Sequence, residues 1–99
     1  MTTITITFSE SDTKARYGAT LDDITAEAEL TVSKVSSKLI IVDHTFVPDA
    51  LRGKGLAKAL AEQVIADARK QGQRIVPLCP FLRAHAIKHK EDLADVIQW

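Results

Sequence analysis

The stretch Val47-Pro48-Asp49-Ala50-Leu51-Arg52-Gly53-Lys54-Gly55-Leu56-Ala57 decides how this chain reads. It follows the apolar run Leu39-Ile40-Ile41-Val42 and opens a segment with helical periodicity. The first N–H groups of a helix have no internal acceptor, and the helix dipole adds partial positive charge there. Gly53 and Gly55 remove the β-carbons that would hold an anion off the backbone, and they permit positive φ. The stretch is therefore expected to be a strand-to-helix turn that grips phosphate through its main chain.

Downstream, Leu56, Ala57, Leu60, Ala61, Val64, Ile65 and Ala68 share one helical face, while Lys58, Glu62, Asp67 and Lys70 share the other. This predicts a helix over 55–71, closed by Gly72. Residues 74–78 read as a short strand. Pro80 suits the first turn of a second helix over 80–89. Residues 91–99 read as a further turn or two, with Leu93, Val96 and Ile97 on one side. Upstream, Thr and Ile alternate over 1–8, which predicts a strand or edge arm, followed by a polar turn at 9–14. Residues 15–20 are a candidate second strand. In 24–35 the apolar residues Ile24, Ala26, Ala28, Leu30 and Val32 fall every second position and predict a half-buried strand. The Ala and Glu content allows a helix instead, but Thr25, Thr31 and Val32 weigh against it. Residues 39–47 form the most apolar strand. A strand–helix–strand unit crosses over right-handed and makes its strands parallel. The expected fold is a mixed α/β sheet, antiparallel at its start, with helices packed on it, in one domain over 1–99.

Thirteen basic and thirteen acidic residues cancel, which argues against a nucleic-acid partner. The longest apolar run, Leu39 to Val42, is far too short to span a bilayer, so no membrane partner is expected. One cysteine excludes an internal disulfide, and no signal peptide is visible, so the cytoplasm is the expected location.

Two familiar phosphate motifs fail. A nucleoside-triphosphate loop needs glycine where Pro48 stands and Ser or Thr where Gly55 stands. A dinucleotide fingerprint needs a third glycine where Lys58 stands. What remains, Arg52-x-x-Gly55-x-Ala57, resembles the coenzyme A pyrophosphate motif of the GCN5-related N-acetyltransferases, Arg/Gln-x-x-Gly-x-Gly/Ala. Asp43-His44-Thr45, Val47-Pro48, Ala68-Arg69, Gly72 and Pro77-Leu78-Cys79-Pro80-Phe81 extend the similarity, in particular to the small YjdJ-like subfamily. The resemblance covers 39–97 by motif and the first 38 residues by strand pattern.

The resemblance implies antiparallel strands followed by a strand–helix–strand–helix coenzyme A-binding unit. It implies acetyl-CoA as cofactor, no metal, and an amine as acceptor. It assigns Val47, Arg52, Gly53, Lys54, Gly55, Leu56, Ala57, Lys58, Cys79 and Phe81 to the cofactor. Main-chain amides around 53–58 hold the pyrophosphate, and the strands ending near Val47 and Leu78 form a slot for the pantetheine arm. Lys54 and Lys58 either meet the adenosine phosphates or are solvated. Where this chain has Phe46 the subfamily often has Glu. An aromatic residue often stands at His85 and Pro at Lys90. Larger relatives cover the acceptor with further C-terminal strands, so the site is open or is completed by another subunit, and an oligomer is possible.

Acetyl transfer to an amine needs a neutral nucleophile, although a free alkyl amine titrates near pH ~10. It also needs a polarised carbonyl and a stabilised leaving thiolate. Backbone N–H groups near Phe46 and Val47 can serve the carbonyl; Pro48 offers none. Cys79 and His44 are the catalytic candidates. Cys79 precedes Pro80 at a helix start, where thiolate is more available. It serves as an acyl acceptor or is a small buried hydrophobe. His44 serves as a proton acceptor or is bonded to backbone; strand alternation separates it from Asp43. His85 and His89 share a helix face, without the third ligand of a zinc site. The sequence leaves three readings: an N-acetyltransferase of unidentified acceptor, a coenzyme A-binding module without turnover, and an interaction domain whose turn binds nothing.

Overall fold

Alternation of small apolar residues with Thr and Glu builds three antiparallel strands before any helix forms. In the computed structural model, which describes residues 3–99, these are β1 (Ile4–Glu10), β2 (Lys14–Leu21) and β3 (Ile24–Lys34). There follow β4 (Leu39–Phe46), a single 3-10 turn (Asp49–Leu51), α1 (Leu56–Gln71), β5 (Arg74–Pro77) and α2 (Pro80–Lys88). The sheet order is β1-β2-β3-β4-β5, antiparallel throughout except for the parallel β4–β5 pair. The expected mixed sheet is thus observed. The first strand runs later than its Thr/Ile alternation suggested: Ser9 and Glu10 pair with Arg16 and Ala15. Met1 and Thr2 lie outside the described residues.

The strand at 24–34 forms because its partners complete a core. Ala28, Leu30 and Val32 lie opposite Ala19, Tyr17 and Ala15 of β2, and all six are buried. Across-strand burial overrides the helix propensity of the Ala-Glu run. Leu56, Leu60, Ala61, Val64, Ile65 and Ala68 of α1 pack on this face, and Leu82 and Ala86 of α2 join the same core. Both helices lie on one face of the sheet. The other face carries Thr7 in the edge strand β1 and Arg16, Glu29, Thr31 and Ser33 in β2 and β3. No described helix is long and apolar enough to cross a membrane.

Gly72 closes α1 in the left-handed conformation (φ +68°), and the Gln73 N–H bonds back to Ala68 O at 2.8 Å. Residues 91–99 form turns that cover the outer edge of β5. The Ile75 N–H donates to Val96 O and the Gln98 N–H to Ile75 O, each at 2.7 Å. Arg74 and Arg69 hold this segment down through its carbonyls and Asp95.

Tyr17 fastens α1 to the sheet. Its hydroxyl donates to Asp67 Oδ2 at 2.7 Å, and its ring meets Phe8 with centroids 4.9 Å apart. Burial, then the Asp67 hydrogen bond, pushes the phenol well above its ordinary range. The native state therefore retains a proton that the unfolded chain releases near pH ~10. This contribution to stability is complete below that pH and is lost as pH rises toward the native value. Tyr17 is the chain's one tyrosine. Tyrosinate absorbance is expected to appear only with alkaline unfolding, and Tyr17→Phe is expected to cost about 1 kcal/mol in urea denaturation. Ionisation ahead of unfolding would contradict this.

Candidate functional site

β4 and β5 begin together and then part. Their pairing runs from Leu39–Arg74 to Val42–Pro77. Pro77 has no N–H to donate, and the Leu78 N–H turns back to Val76 O at 3.0 Å. The Cys79 N–H makes the last link, to Val42 O at 3.0 Å. β4 continues to Phe46 without a β5 partner. A gap therefore opens at the C-terminal ends of two parallel strands, where open α/β sheets bind ligands. Phe46, Leu78 and Phe81, all large and apolar, stay exposed around these strand ends.

A β-bulge sets which side chains face this gap. Val42 pairs with Val32 but His44 pairs with Thr31, so Asp43 is an extra residue in β4. The bulge reverses the alternation beyond it. Thr45 shares the helix-covered face with Val42, and its Oγ1 accepts a hydrogen bond from Cys79 Sγ at 3.1 Å. Cys79 is 1% exposed. His44 and Phe46 turn to the open face, where their rings lie 6.4 Å apart and nearly parallel (9°). Asp43 accepts a hydrogen bond from Ser33 Oγ at 2.7 Å.

The connection from β4 to α1 supplies donors. Gly53 (φ +74°) and Gly55 (φ +83°) adopt the left-handed conformation, and a β-carbon on either would meet nothing within 4 Å. Among the described residues, none of the amides at 53–58 donates a hydrogen bond, and no side chain caps the helix. The Arg52 N–H is already bonded to Asp49 O, and its Nε pairs with Asp49 Oδ1 at 3.2 Å. The first turn of α1 contains no acidic residue; Lys54 precedes it and Lys58 lies within it. Consecutive free amides and two left-handed glycines form a donor set suited to an anion with several oxygens, such as a diphosphate.

The sequence model of the GCN5-related N-acetyl-transferase family matches residues 16–96. The chain belongs to that family. Acetyl transfer is accordingly its functional class. The chain is also similar to a GCN5-like protein of Staphylococcus aureus solved by solution NMR. The two share 28% identity with a TM-score of 0.62, over 93% of this chain and 87% of that one. No curated protein matches.

Within this GCN5-related fold, the residues expected from sequence at 47 and 52–58 stand together after β4, and Cys79 and Phe81 stand across the gap at the head of α2. Cys79 and His44 are not brought together, because the bulge and the alternation of β4 put them on opposite faces. Lys54 turns toward Ile4, Leu21, Asp23 and Ile24, around a cavity of about 420 Å³. Lys58 lines a groove of about 410 Å³ between α1 and α2, with Glu62, His85, His89 and Asp92. The two imidazoles have centroids 4.7 Å apart, and burial, then the charge of His89, holds His85 below its ordinary range. Among the described residues no metal-binding group of three or more His, Cys, Asp or Glu forms. Sequence reasoning missed Thr45. It stands 34 positions before its partner Cys79, and only strand pairing brings the two together.

Proposed function

We propose that the chain is an acetyl-CoA-dependent N-acetyltransferase. The observation that carries this reading is the row of unbonded amides at 53–58, directly beside the gap between β4 and β5. These amides hold the pyrophosphate, and Lys54 and Lys58 meet the remaining phosphates. Val47, Cys79 and Phe81 line the slot, and Phe46, Leu78 and Phe81 keep water from it. When bound, acetyl-CoA supplies the acetyl group as an activated thioester. His44, on the open face, accepts the proton that the acceptor amine sheds. Cys79 and Thr45, hydrogen-bonded to each other, close the inner end of the slot.

Binding is tested by melting with coenzyme A. At ~100 times its dissociation constant the ligand should stabilise the fold by about 2.7 kcal/mol. Turnover is tested by release of free thiol from acetyl-CoA across a panel of amines. A melting shift without thiol release would instead support a binding module. That second reading is favoured by one observation, the absence of contact between His44 and Cys79.

Burial and the Thr45 bond make Cys79 a poor nucleophile in the ground state. Transfer is therefore expected to be direct. Intact mass after incubation with acetyl-CoA should show no added acetyl group, and iodoacetamide should label Cys79 only under denaturing conditions. An acetyl adduct that disappears in Cys79→Ala would establish the covalent route instead.

A further inference from the structure

β3 and β4 set Glu29 directly opposite Phe46 on the face of the sheet that no helix covers. Opposed residues of an antiparallel pair hold their β-carbons roughly 4.5–5.5 Å apart. Thr31 and His44 form the neighbouring pair on that face, and the His44 ring stacks on Phe46. One carboxylate thus borders two stacked aromatic rings on the strand that leads out along the gap.

The cation near Glu29 is already engaged. Arg16 Nη2 donates to Glu27 Oε1 at 2.5 Å, whereas Arg16 Nε stands 3.8 Å from Glu29 Oε2. Gly18 permits this arrangement. A β-carbon there would come within 2.7 Å of Glu27 Oε2, so the missing side chain lets Glu27 lie across β2 toward Arg16. The Glu29 carboxylate keeps one long contact and, among the described residues, accepts no side-chain hydrogen bond; its side chain is 33% exposed. Two carboxylates face one guanidinium, which leaves net negative charge beside the rings.

A carboxylate next to aromatic faces recognises cations. The reacting nitrogen is not the cation in question, for two reasons. A carboxylate in contact with it would hold it protonated and unreactive. Glu29 also sits on β3, one strand spacing of ~4.8 Å inward from β4, whose far edge borders the gap. We propose that Glu29, with Phe46, binds a second cationic group of the acceptor, and that the acceptor is an alkyl diamine or a longer polyamine. This inference rests on the acyltransferase reading above.

The experiment follows thiol release from acetyl-CoA with 1,4-diaminobutane, butylamine and 4-aminobutanoate. The diamine should exceed both in kcat/KM, by about tenfold, as one charge-assisted contact implies. Glu29→Gln should collapse that preference toward unity through the KM of the diamine, with no change in the KM of acetyl-CoA. Phe46→Ala should weaken the preference in the same direction. Equal turnover of the three amines, or an undiminished preference in Glu29→Gln, would overturn the proposal and leave the acyltransferase reading standing. A parallel NMR titration of 1,4-diaminobutane into the coenzyme A-bound protein reads docking without turnover. Shifts at the amides of Glu29, Thr31 and Phe46 that vanish in Glu29→Gln support the site. If they occur without thiol release from any amine, the acyltransferase reading fails and with it the acceptor role of the site, and a cation site alone stands. No shifts and no release would overturn both.

Discussion

Gly55→Ala is expected to remove most of the stabilisation that coenzyme A gives the protein. The glycine sits at φ +83°, and the space beyond its α-carbon is open. Alanine there meets no steric wall, so the cost to the free protein is conformational, about 1–2 kcal/mol. That corresponds to a melting temperature lower by several degrees, at ~4–8 °C per kcal/mol for a domain of this size. The effect on the ligand is larger. The added methyl group occupies the approach to the amides, and relaxation to negative φ turns those amides away. The ~2.7 kcal/mol expected at hundredfold excess of coenzyme A over its dissociation constant should fall close to zero. Gly72→Ala is the control. Gly72 has nearly the same backbone (φ +68°) and equally open space, but it stands at the other end of α1. It should cost similar stability and keep the ligand response. If both variants respond to coenzyme A alike, the turn is not where the nucleotide binds.

Arg74→Ala is expected to carry the second largest effect, on stability rather than binding. Its guanidinium donates to Asp95 O and Ala94 O at 3.1 Å, to Ile97 O at 2.9 Å and to Gln98 Oε1 at 3.0 Å. These bonds gather the carbonyls of residues 94, 95 and 97 and add to the two main-chain bonds to Ile75 and the burial of Val96 and Ile97 that seat the segment on β5. Several of them are exposed and are worth less than buried ones, so the net loss should be about 2 kcal/mol by chemical denaturation. The local effect should be sharper. Amide exchange at Ile75 and Gln98, whose N–H groups bridge β5 and the final segment, should accelerate well beyond the change in global stability. Arg74→Lys should not rescue it, because one ammonium cannot span the same acceptors. Unchanged exchange at Ile75 would mean that burial of Val96 and Ile97 alone seats the segment.

Much of this was legible in the chain itself because it depends on near neighbours. Periods of two and of about 3.6 gave the strands and α1. Gly72 and Pro80 marked a helix end and a helix start, and the Gly53–Gly55 pair marked the turn. The edges of β1 were less legible, since Ser9 and Glu10 gain strand structure only from Arg16 and Ala15 opposite them. The partners of the candidate catalytic residues were not legible. Regular alternation would keep His44 on the face of Val42, and one extra residue at Asp43 reverses it. Thr45, named only as part of the Asp43-His44-Thr45 segment and given no role there, becomes the partner of Cys79. Glu29 reads in sequence as one more exposed position of an alternating strand, and acquires its neighbour Phe46 only through the β3–β4 register.

The sequence by itself determined the element types, the glycine turn before α1 and the family motif, because backbone geometry, glycine freedom and helix-end donors are local properties. The tertiary structure decided where β4 leaves β5, which face each side chain of β4 takes, and what lies across from it. Those outcomes depend on a missing N–H at Pro77 and a bulge at Asp43, whose consequences exist only once the neighbouring strands are in register.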